Sequence, residues 1–457
     1  MMSVRTYISA LTLSLLMAVI GCESDYSYRG DATAIAFSAD TLSFDTVFTG
    51  EATTTTSLMI YNKSDEDMTL DKIWLEGGSN SSFNVNINGS NATEMSGIHL
   101  RSGDSLYVFV NVFPQNSDEY IYELDDNIIV QAGHNMWSSH LKAYGLSAIR
   151  VTGHISEDAE WTSDKPYLLS GTVAVDSSVT LTIDEGTQIF LTEKAGIDVY
   201  GTLITKGTHD NMVRFRSSRT EEFYSDIPGQ WYSIMIMLGS GRAKMDYTEI
   251  ANSTYGLLID SLTELDITNS IIRDATYNAL ITYAAKTNIT NCLLYNCGSS
   301  LFTVYGGDVV INHCTMSNFY RWHTRSDATV FVTGGGEYPE LGHVTIANCV
   351  VAGNQSNEME FSDAVNEDNC LVTHCYMRLG TKWEEDTDPR FDAVIVGKDP
   401  GFVDRSNFDF HIVETSDLIG LADPEYSALA PYDFDGICRT DSAAADIGAF
   451  QYVTTTE

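Results

Sequence analysis

Two aspartates on consecutive repeats of this sequence could form a catalytic acid pair. Asp246 lies in MDYTEIAN and Asp266 in LDITNSII, 20 residues further on, both at polar positions of alternating strand patterns. If the strands stack, the two carboxylates become neighbours. Paired carboxyl groups hydrolyse glycosidic bonds, whereas a lyase needs a Lys or Arg base, often beside carboxylates that hold Ca²⁺. Ordinary surface charge is the favoured interpretation, because aligned carboxylates are common on an acidic repeat surface.

The densest group of ligand-binding side chains follows the segment INHCTMSN. It reads FYRWHTRSDATVFVTGGGEYPELG and carries Tyr320, Arg321, Trp322, His323 and Arg325. Aromatic and cationic side chains suit sugar rings and acidic glycans, and binding residues often lie on loops of a rigid scaffold. Alternatively, Tyr320 and Trp322 fold back to cover an open groove. The residues alone favour neither interpretation.

Motifs for metal or nucleotide binding are weak. The stretch DFDG, residues 433–436, begins like a calcium loop but lacks the later ligands. We interpret it as a structural turn in which Arg439 neutralises Asp433 or Asp435. No metal site is predicted, although a Ca²⁺ cofactor stays open. The sequence has no GxSxG, HExxH, P-loop or dinucleotide-binding fingerprint.

A repeat of about 22 residues organises the second part of the chain. LDITNSII, TNITNCLL, VVINHCTM, VTIANCVV and VNEDNCLV align, with fifth positions at residues 269, 291, 313, 348 and 369. The interval of 35 is one repeat with a 13-residue insertion. Short strands at this period, without a helical pattern, predict a parallel β-solenoid. Asparagine at the fifth position suits a sharp left-handed corner and can bond to the coil above.

The residue after each corner should point inward and form one interior column. Its expected members are Ser270, Cys292, Cys314, Cys349 and Cys370, with Cys297 and Cys375 on the following corner. Stacked Cβ atoms lie about 4.8 Å apart, whereas a disulfide needs about 3.8 Å. We therefore expect free, packed thiols and neither zinc ligands nor a redox pair.

The first part of the chain predicts a β-sandwich of seven short strands between turn-rich segments. SFDTVFTGE, LMIYNKSDEDMTLDKIWL, IHLRSGDSLYVFVNVFP and HLKAYG, in this order, resemble the immunoglobulin-like domain of the abnormal-spindle/hydin type. The resemblance implies a spacer or interaction module without catalysis. We expect this domain to span residues 34–149.

The solenoid also resembles a known family. The stretch at 161–236 resembles the first coils of secreted right-handed β-helix proteins, and DPGFVDRSNFDFHI, SDLIG, DFDGICR and ADIGAFQY resemble their C-terminal signature. The resemblance implies a pectin-lyase-like right-handed parallel β-helix over residues 150–457, with a C-terminal cap from about residue 380. Together, the two domains resemble a family of uncharacterised Bacteroidetes surface lipoproteins.

The N-terminus predicts export and lipid anchoring. Arg5 precedes a 13-residue apolar-dominated run from Ile8 to Ile20, too short to span a bilayer but typical of a signal peptide. AVIGC then resembles a bacterial lipobox, which implies acylation of Cys22; an ordinary signal peptide is the alternative. Residues 1–21 would be the signal peptide and 22–33 a tether.

Composition limits the remaining functions. The chain has 63 acidic and 25 basic residues, a net charge of −38, and therefore lacks the basic surface that nucleic-acid binding needs. We expect an all-β protein that is lipid-anchored in the outer membrane. Glu23 and Asp25, just after Cys22, resemble the surface-export signal of Bacteroidetes lipoproteins, which implies a position on the cell surface. The protein would bind an extended polymer, most simply polysaccharide, without catalysis. A polysaccharide lyase or hydrolase and a purely structural or adhesive protein are the alternatives.

Overall fold

The structure is a computed structural model that describes residues 34–239, 241–380, 388–439 and 444–454. These residues form two compact units. The chain passes from the first unit to the second between Leu146 and Ser147, three residues before the boundary expected from the sequence. The predicted signal peptide, Cys22 and the tether lie outside the described residues. Each unit is described separately below.

The first unit is a sandwich of two five-stranded sheets, ordered β1-β3-β8-β5-β6 and β2-β10-β9-β4-β7. Strands β2 and β10 pair in parallel, and the other pairs are antiparallel. Alternate residues of each strand fill one apolar core, which explains the period of two in the sequence. The strands are β1 Ile35–Phe37, β2 Thr41–Phe48, β3 Thr56–Asn62, β4 Met68–Leu75, β5 Phe83–Ile87, β6 Ser90–Asn91, β7 Glu94–Leu100, β8 Ser105–Val112, β9 Ile121–Ala132 and β10 Asn135–Leu146, with a 3₁₀ helix at Gly78–Asn80.

The second unit is a parallel β-helix of 26 strands, and its chain stacks each coil on the previous one. Its first thirteen strands are β11 Ile149–Ile155, β12 Ala159–Trp161, β13 Tyr167–Val175, β14 Thr180–Asp184, β15 Gln188–Leu191, β16 Gly196–Val199, β17 Thr202–Lys206, β18 Val213–Ser217, β19 Ile234–Ile236, β20 Arg242–Asp246, β21 Thr248–Ala251, β22 Leu257–Ile259 and β23 Glu264–Thr268, with a 3₁₀ helix at Glu222–Tyr224. The other thirteen are β24 Ile271–Arg273, β25 Leu280–Thr290, β26 Leu293–Tyr295, β27 Phe302–Asn312, β28 Thr315–Asn318, β29 Val330–Thr333, β30 Leu341–Ala347, β31 Val350–Gly353, β32 Met359–Phe361, β33 Cys370–Thr373, β34 Tyr376–Met377, β35 Phe391–Asp392 and β36 Ile395–Val396.

Three parallel faces run along this helix. We name them by their strands: sheet A contains β16, β19, β22, β29 and β32; sheet B contains β14, β17, β20, β23, β30 and β33; sheet C contains β15, β18, β21, β24, β26, β28 and β31. Long strands β25 and β27 turn from sheet A into sheet B. Inward side chains from all three sheets form one continuous apolar core.

The predicted corner lies between sheets B and C. Asn269, Asn291, His313 and Asn348 all have left-handed backbones, with φ between 50° and 58°. Asn291 Nδ2 donates to Asn269 Oδ1 over 2.7 Å, and Asn348 Nδ2 lies 3.0 Å from His313 Nε2. The corner side chains therefore connect successive coils, as the sequence predicts.

The interior column is confirmed for four members and wrong for the fifth. The amides of Cys292, Cys314 and Cys349 lie 3.4, 3.4 and 3.3 Å from the sulfur of the next residue in the column, and the last of these sulfurs belongs to Cys375. Cys370 instead starts β33 and pairs with Val344. The final corner is His374, with φ of 48°, because this coil is 26 residues long.

The seven cysteines of the described residues are free thiols. Burial raises the pKa of Cys292 and Cys349, and also that of Cys297, which lies in the interior outside the column. Each of these three thiols also donates to the backbone carbonyl two residues earlier, as Cys349 does to Ala347 over 3.0 Å. The thiols thus replace small apolar side chains and satisfy backbone groups at the corner.

The C-terminal segment, residues 399–439 and 444–452, lies along the side of the coils; we name it the strap. It contains a hairpin of β37 Phe402–Asp404 and β38 Asp409–Ile412, a 3₁₀ helix at Arg405–Asn407 and helix α1 at Pro424–Ser427. Phe410, Phe434 and Phe450 pack with Met212 and Leu293 beside sheet C. The strap therefore covers sheet C and leaves the outer faces of sheets A and B as the open flanks.

A charged cluster fastens the strap to an early coil. His411 Nε2 lies 2.8 Å from Asp435 Oδ2 and its Nδ1 lies 2.5 Å from Asp409; His209 Nε2 lies 3.6 Å from Asp435 Oδ1 and its Nδ1 3.0 Å from Asp210. The hydrogen bond to Asp435 raises the pKa of His411 to about 9, and the same contact lowers the pKa of Asp435.

We predict that the strap is held less tightly as the pH rises from about 6.5 to about 9. Because the pKa of His411 is raised on folding, its contribution is complete below the unfolded value of about 6.5 and is lost as the pH passes the folded value of about 9. The side chain is half-exposed, so the contribution is about 1 kcal/mol or less. Denaturation midpoints at pH 6 and pH 9 measure it. Asp435→Asn should flatten the difference, and an unchanged difference would contradict the assignment.

Candidate functional site

The structure separates the two aspartates that the sequence suggested as an acid pair. Consecutive coils are offset by 22 residues, so Asp246 pairs with Thr268, whereas Asp266 lies between Lys244 and Asn288. Asp246 also accepts hydrogen bonds from Thr268 Oγ1 over 2.9 Å and Asn269 Nδ2 over 2.8 Å. The expected vertical neighbours are wrong, because a spacing of 20 is two residues short of a coil.

Arg325 belongs to the core and is wrong as a surface ligand. Its guanidinium is fully buried and lies 2.7 and 2.8 Å from the two carboxylate oxygens of Glu358, which is also fully buried. Glu358 further accepts from the amide and hydroxyl of Thr329, over 3.0 and 2.7 Å, and from the amide of Gln355 over 2.7 Å. This pair fixes the base of the loop at residues 319–329.

Tyr320 and Arg321 attach the loop to its surroundings. Tyr320 is buried, and this burial raises the pKa of its phenol to about 12. Arg321 places its guanidinium 4.0 Å from the ring centroid of Phe408 and donates to the carbonyl of Ser406, both in the strap. The covering role therefore accounts for Tyr320, and docking of the strap accounts for Arg321.

Trp322 and His323 are exposed, as is Arg321, but unlike Arg321 they do not contact the strap. Trp322 is 47% exposed. His323 packs edge-on against Tyr320, with ring centroids 4.7 Å apart, and donates from Nδ1 to the carbonyl of Thr324 over 3.1 Å. Of the five predicted residues, Trp322 and His323 are therefore exposed without being engaged by the strap, and Arg321 is exposed but engaged by it.

The 13-residue insertion is split into two loops. Phe302 pairs with Val330, an offset of 28, and Val309 pairs with Val344, an offset of 35. Relative to a 22-residue coil, six residues are therefore added before β29 and seven after it. The second loop, residues 334–340, carries Tyr338, which the sequence analysis did not select.

Tyr338 completes a ladder of aromatic rings on sheet A. Tyr283 and Tyr305 are paired across β25 and β27, with ring centroids 6.1 Å apart. Tyr338 stacks on Tyr305 at 5.1 Å, with an interplanar angle of 25°. Tyr283 is 41% exposed and Tyr338 44%. We name these three residues the tyrosine ladder; repeated tyrosines at coil spacing are the signal that could have found the first two.

A second aromatic stack lies where the loops pass from sheet C to sheet A. Tyr255 stacks on Tyr277 at 4.9 Å and meets the edge of Tyr232 at 6.2 Å. The amide of Ser299, on the next coil, donates to the carbonyl of Tyr277 over 3.0 Å. His323 approaches the neighbouring Gly298, so this stack leads towards the loop that carries Trp322.

A groove of about 380 Å³ lies on sheet B, around the corner from the tyrosine ladder. Tyr283 and Lys286 flank this corner within one strand, where Ala284 has a left-handed backbone with φ of 49°. Thr202 and Ile204 of β17 line one part of the groove. Charged and polar side chains from the following three coils line it: Arg242, Lys244, Glu264, Asp266, Lys286 and Asn288.

The parts of the chain that the structure describes contain no group of three or more His, Cys, Asp or Glu side chains arranged for a metal ion. In the DFDG turn, Asp433 accepts from the amides of Asp435, Ile437 and Gln451 over 3.0, 2.6 and 2.8 Å. These bonds use the carboxylate for the turn itself, as the structural interpretation predicts.

Comparison with known proteins supports the β-helix directly. Residues 224–358 match the family model described as the right handed beta helix region. The second unit therefore contains a right-handed parallel β-helix, and the described residues are nearly all β, with an immunoglobulin-like sandwich in the first unit, as predicted. A comparison with curated protein sequences gave no match.

Similar solved structures cover about a quarter of this chain. The ASH/PapD-like domain 7 of human CEP192 is 15% identical, with a TM-score of 0.18, over 26% of this chain and 89% of that domain. A family 123 glycoside hydrolase from Clostridium perfringens is 9% identical, with a TM-score of 0.19, over 26% and 30% of the two chains. Vibrio cholerae VesB protease is 13% identical, with a TM-score of 0.17, over 25% and 32%. The chain thus spans about a third of these two enzymes.

No helix in the described residues has the length and apolar character needed to cross a bilayer.

Proposed function

We propose that this protein is a lipid-anchored surface protein whose β-helix binds an extended polysaccharide without cleaving it. The tyrosine ladder is the observation that carries the proposal. Tyr283 and Tyr305 repeat at the spacing of the coils, and Tyr338 from the following loop stacks on Tyr305, on a flank that the strap leaves open. Aromatic surface with phenol hydroxyls offers both apolar contact and hydrogen bonds to a sugar chain. Polymer and anchored membrane are then its partners, and nucleic acid is not.

Binding is favoured over cleavage because the suggested acid pair is not formed. Asp246 is engaged with the corner residues Thr268 and Asn269, and Asp266 faces Lys244 and Asn288 on adjacent coils. A hydrolase needs two carboxyl groups that converge on one glycosidic bond. Lyase or hydrolase activity is the second candidate function, to be measured in the same experiment.

We predict that Tyr283→Ala combined with Tyr338→Ala weakens polysaccharide binding by at least about tenfold, or about 1.4 kcal/mol. The change removes the two exposed rings of the ladder. Affinity electrophoresis in gels that contain plant or host polysaccharides measures the dissociation constant. Tyr107→Ala is the matched control, since this ring is also exposed and stacked, on Phe109 of the sandwich.

The same polysaccharides test the other functions. Release of reducing or unsaturated ends would replace the binding proposal with an enzymatic one. Retention of no polysaccharide, or equal retention of the ladder variant and wild type, would overturn the ladder as the binding site and favour a structural role. Trp322→Ala reports separately on the loop at residues 319–329.

The lipid anchor is proposed from the sequence motif AVIGC. We predict that Cys22→Ala abolishes the incorporation of radioactive palmitate in a bacterial host that processes lipoproteins, because the thiol is the acylated atom. Wild-type protein is labelled in the same cells. Label that persists in the variant would contradict the anchor, while polysaccharide binding by the soluble domain would be unaffected. Two acyl chains are needed for stable anchoring.

A further inference from the structure

We propose that the groove on sheet B binds the negatively charged groups of the polymer, so that the ligand is an anionic polysaccharide. This inference rests on the proposed polysaccharide binding and adds the chemical class of the ligand. It is carried by three observations: a groove, unpaired cations inside it, and its position beside the tyrosine ladder.

The register of sheet B arranges the groove side chains in two rows along the axis. One row contains Arg242, Glu264 and Lys286; the other contains Lys244, Asp266 and Asn288. Five of these six side chains are exposed, and Asn288 is half-buried. Successive positions in a row are about 4.8 Å apart. An extended polysaccharide laid along the axis therefore meets a new pair of polar side chains with roughly every sugar.

The two lysines of the groove have no acidic partner. Within the described residues, no carboxylate lies within 4.0 Å of the ammonium of Lys244 or Lys286. Arg242 makes one long contact of 3.8 Å, to Glu264. By contrast, Lys206 on the same sheet lies 3.3 Å from Asp184. The groove thus holds cations whose charge is available to a ligand.

The charge balance of the groove differs from that of the whole chain. Acidic residues outnumber basic ones by 63 to 25 in the sequence. The groove reverses this balance, with three cations against two carboxylates. Field lines focused in a concave, locally cationic site favour an anion. Between the anionic groups, Glu264 and Asp266 can accept hydrogen bonds from sugar hydroxyls, and Asn288 can accept or donate them.

The groove and the ladder are adjacent on the one coil that they share, which contains β25. Tyr283 ends the sheet A part of β25 and Lys286 begins its sheet B part, three residues later. One polymer can therefore place sugar rings against the tyrosines while its anionic groups face the lysines. A carboxylate or a sulfate ester would provide the same single negative charge, and the experiment separates the two.

The test uses the mature chain, residues 22–457, with three polysaccharide probes. Hyaluronate carries carboxylates, dextran sulfate carries sulfate esters, and dextran is neutral. We compare wild type with Lys244→Gln/Lys286→Gln, which keeps polar side chains at both positions and removes both charges. Lys194→Gln, on an exposed turn of the same unit, is the matched control. Isothermal titration gives the dissociation constants at low and high salt.

We expect at least one anionic probe to bind tenfold or more tightly than dextran, with affinity that falls as salt rises. The double variant should lose that tenfold advantage, and Lys194→Gln should keep it. Preference for hyaluronate or dextran sulfate then identifies the anionic group. Equal affinity of wild type and double variant for the anionic probes would overturn the groove assignment.

The failure of this inference is distinguishable from failure of the proposed function. If the ladder variant weakens all binding while the lysine variant matches wild type, polysaccharide binding stands and the anionic groove is wrong. If no probe and no polysaccharide of the affinity gels binds, both are wrong.

Discussion

Replacing Glu358 with alanine lowers the free energy of unfolding of the β-helix by about 3–5 kcal/mol, because the guanidinium of Arg325 then stays buried without its counter-charge. The loss also leaves the amides of Thr329 and Gln355 without their acceptor. This is the largest single effect that we expect in the chain. Urea denaturation followed by circular dichroism measures it as a lower midpoint.

The Arg325–Glu358 pair contributes less to the free energy of unfolding than is lost when only one of its partners is removed. Arg325→Met together with Glu358→Leu should recover much of the stability, since replacing a buried pair with apolar side chains is often neutral. Arg219→Ala is the control for an exposed pair, to Glu221 over 3.0 Å, and should cost less than about 1 kcal/mol. If Glu358→Ala costs no more than Arg219→Ala, Arg325 is not buried as described and regains its place among the ligand-binding candidates.

The pair also constrains its neighbours. A Cβ atom on Gly353 would lie 2.1 Å from Glu358 Oε1 and 2.7 Å from the guanidinium of Arg325. The coil can therefore close over the two charges only where this position lacks a side chain. The loop at residues 319–329 is thus anchored from inside, which leaves Trp322 at its exposed tip.

The second large effect concerns the strap. We expect Arg439→Ala to lower the protection of strap amides against hydrogen exchange by about 100-fold. Buried Arg439 donates to Asn291 Oδ1 over 2.8 Å and to the carbonyls of Ala430, Gly448 and Ala449 over 3.1, 3.1 and 3.2 Å. Hydrogen bonds to a charged group contribute about 1.5–3 kcal/mol each, and about 1.4 kcal/mol corresponds to tenfold.

Exchange measured by mass spectrometry resolves the strap from the coils. Arg405→Ala is the control within the strap, because this exposed side chain lies over Phe319 with its guanidinium carbon 4.3 Å from the ring centroid, and it should leave protection nearly unchanged. Loss of protection throughout the coils after Arg439→Ala would show that the strap and the β-helix open as one unit. Unchanged protection in residues 444–452 would contradict the role assigned to Arg439.

The pKa of Arg439 is lowered by burial to about 10, so the side chain remains charged at neutral pH. Its neighbour His313 also contacts the strap, through Ser427 Oγ at 2.9 Å and the carbonyl of Gly448 at 3.1 Å. Burial lowers the pKa of His313 well below its ordinary value. The corner residues Asn291 and His313 therefore also bind the strap.

The fold could be predicted from the sequence because the patterns that specify it are local. Alternating apolar residues, a period of 22 and left-handed residues at the corners act within one coil, and stacking repeats their effect. These features predicted the sandwich, the solenoid and the free thiols. The same reasoning placed Cys370 in the column, since it assumed a constant coil length that the 26-residue coil does not have.

Which side chains contact each other could not be predicted from these local patterns. Asp246 and Asp266 are separated because strands pair by backbone hydrogen bonds at an offset of 22, and Arg325 is buried because Glu358, 33 residues later, lies beneath it. Tyr338 reaches Tyr305 only because the insertion is divided between two loops. Such contacts depend on how loop lengths add up between coils, which no local pattern records.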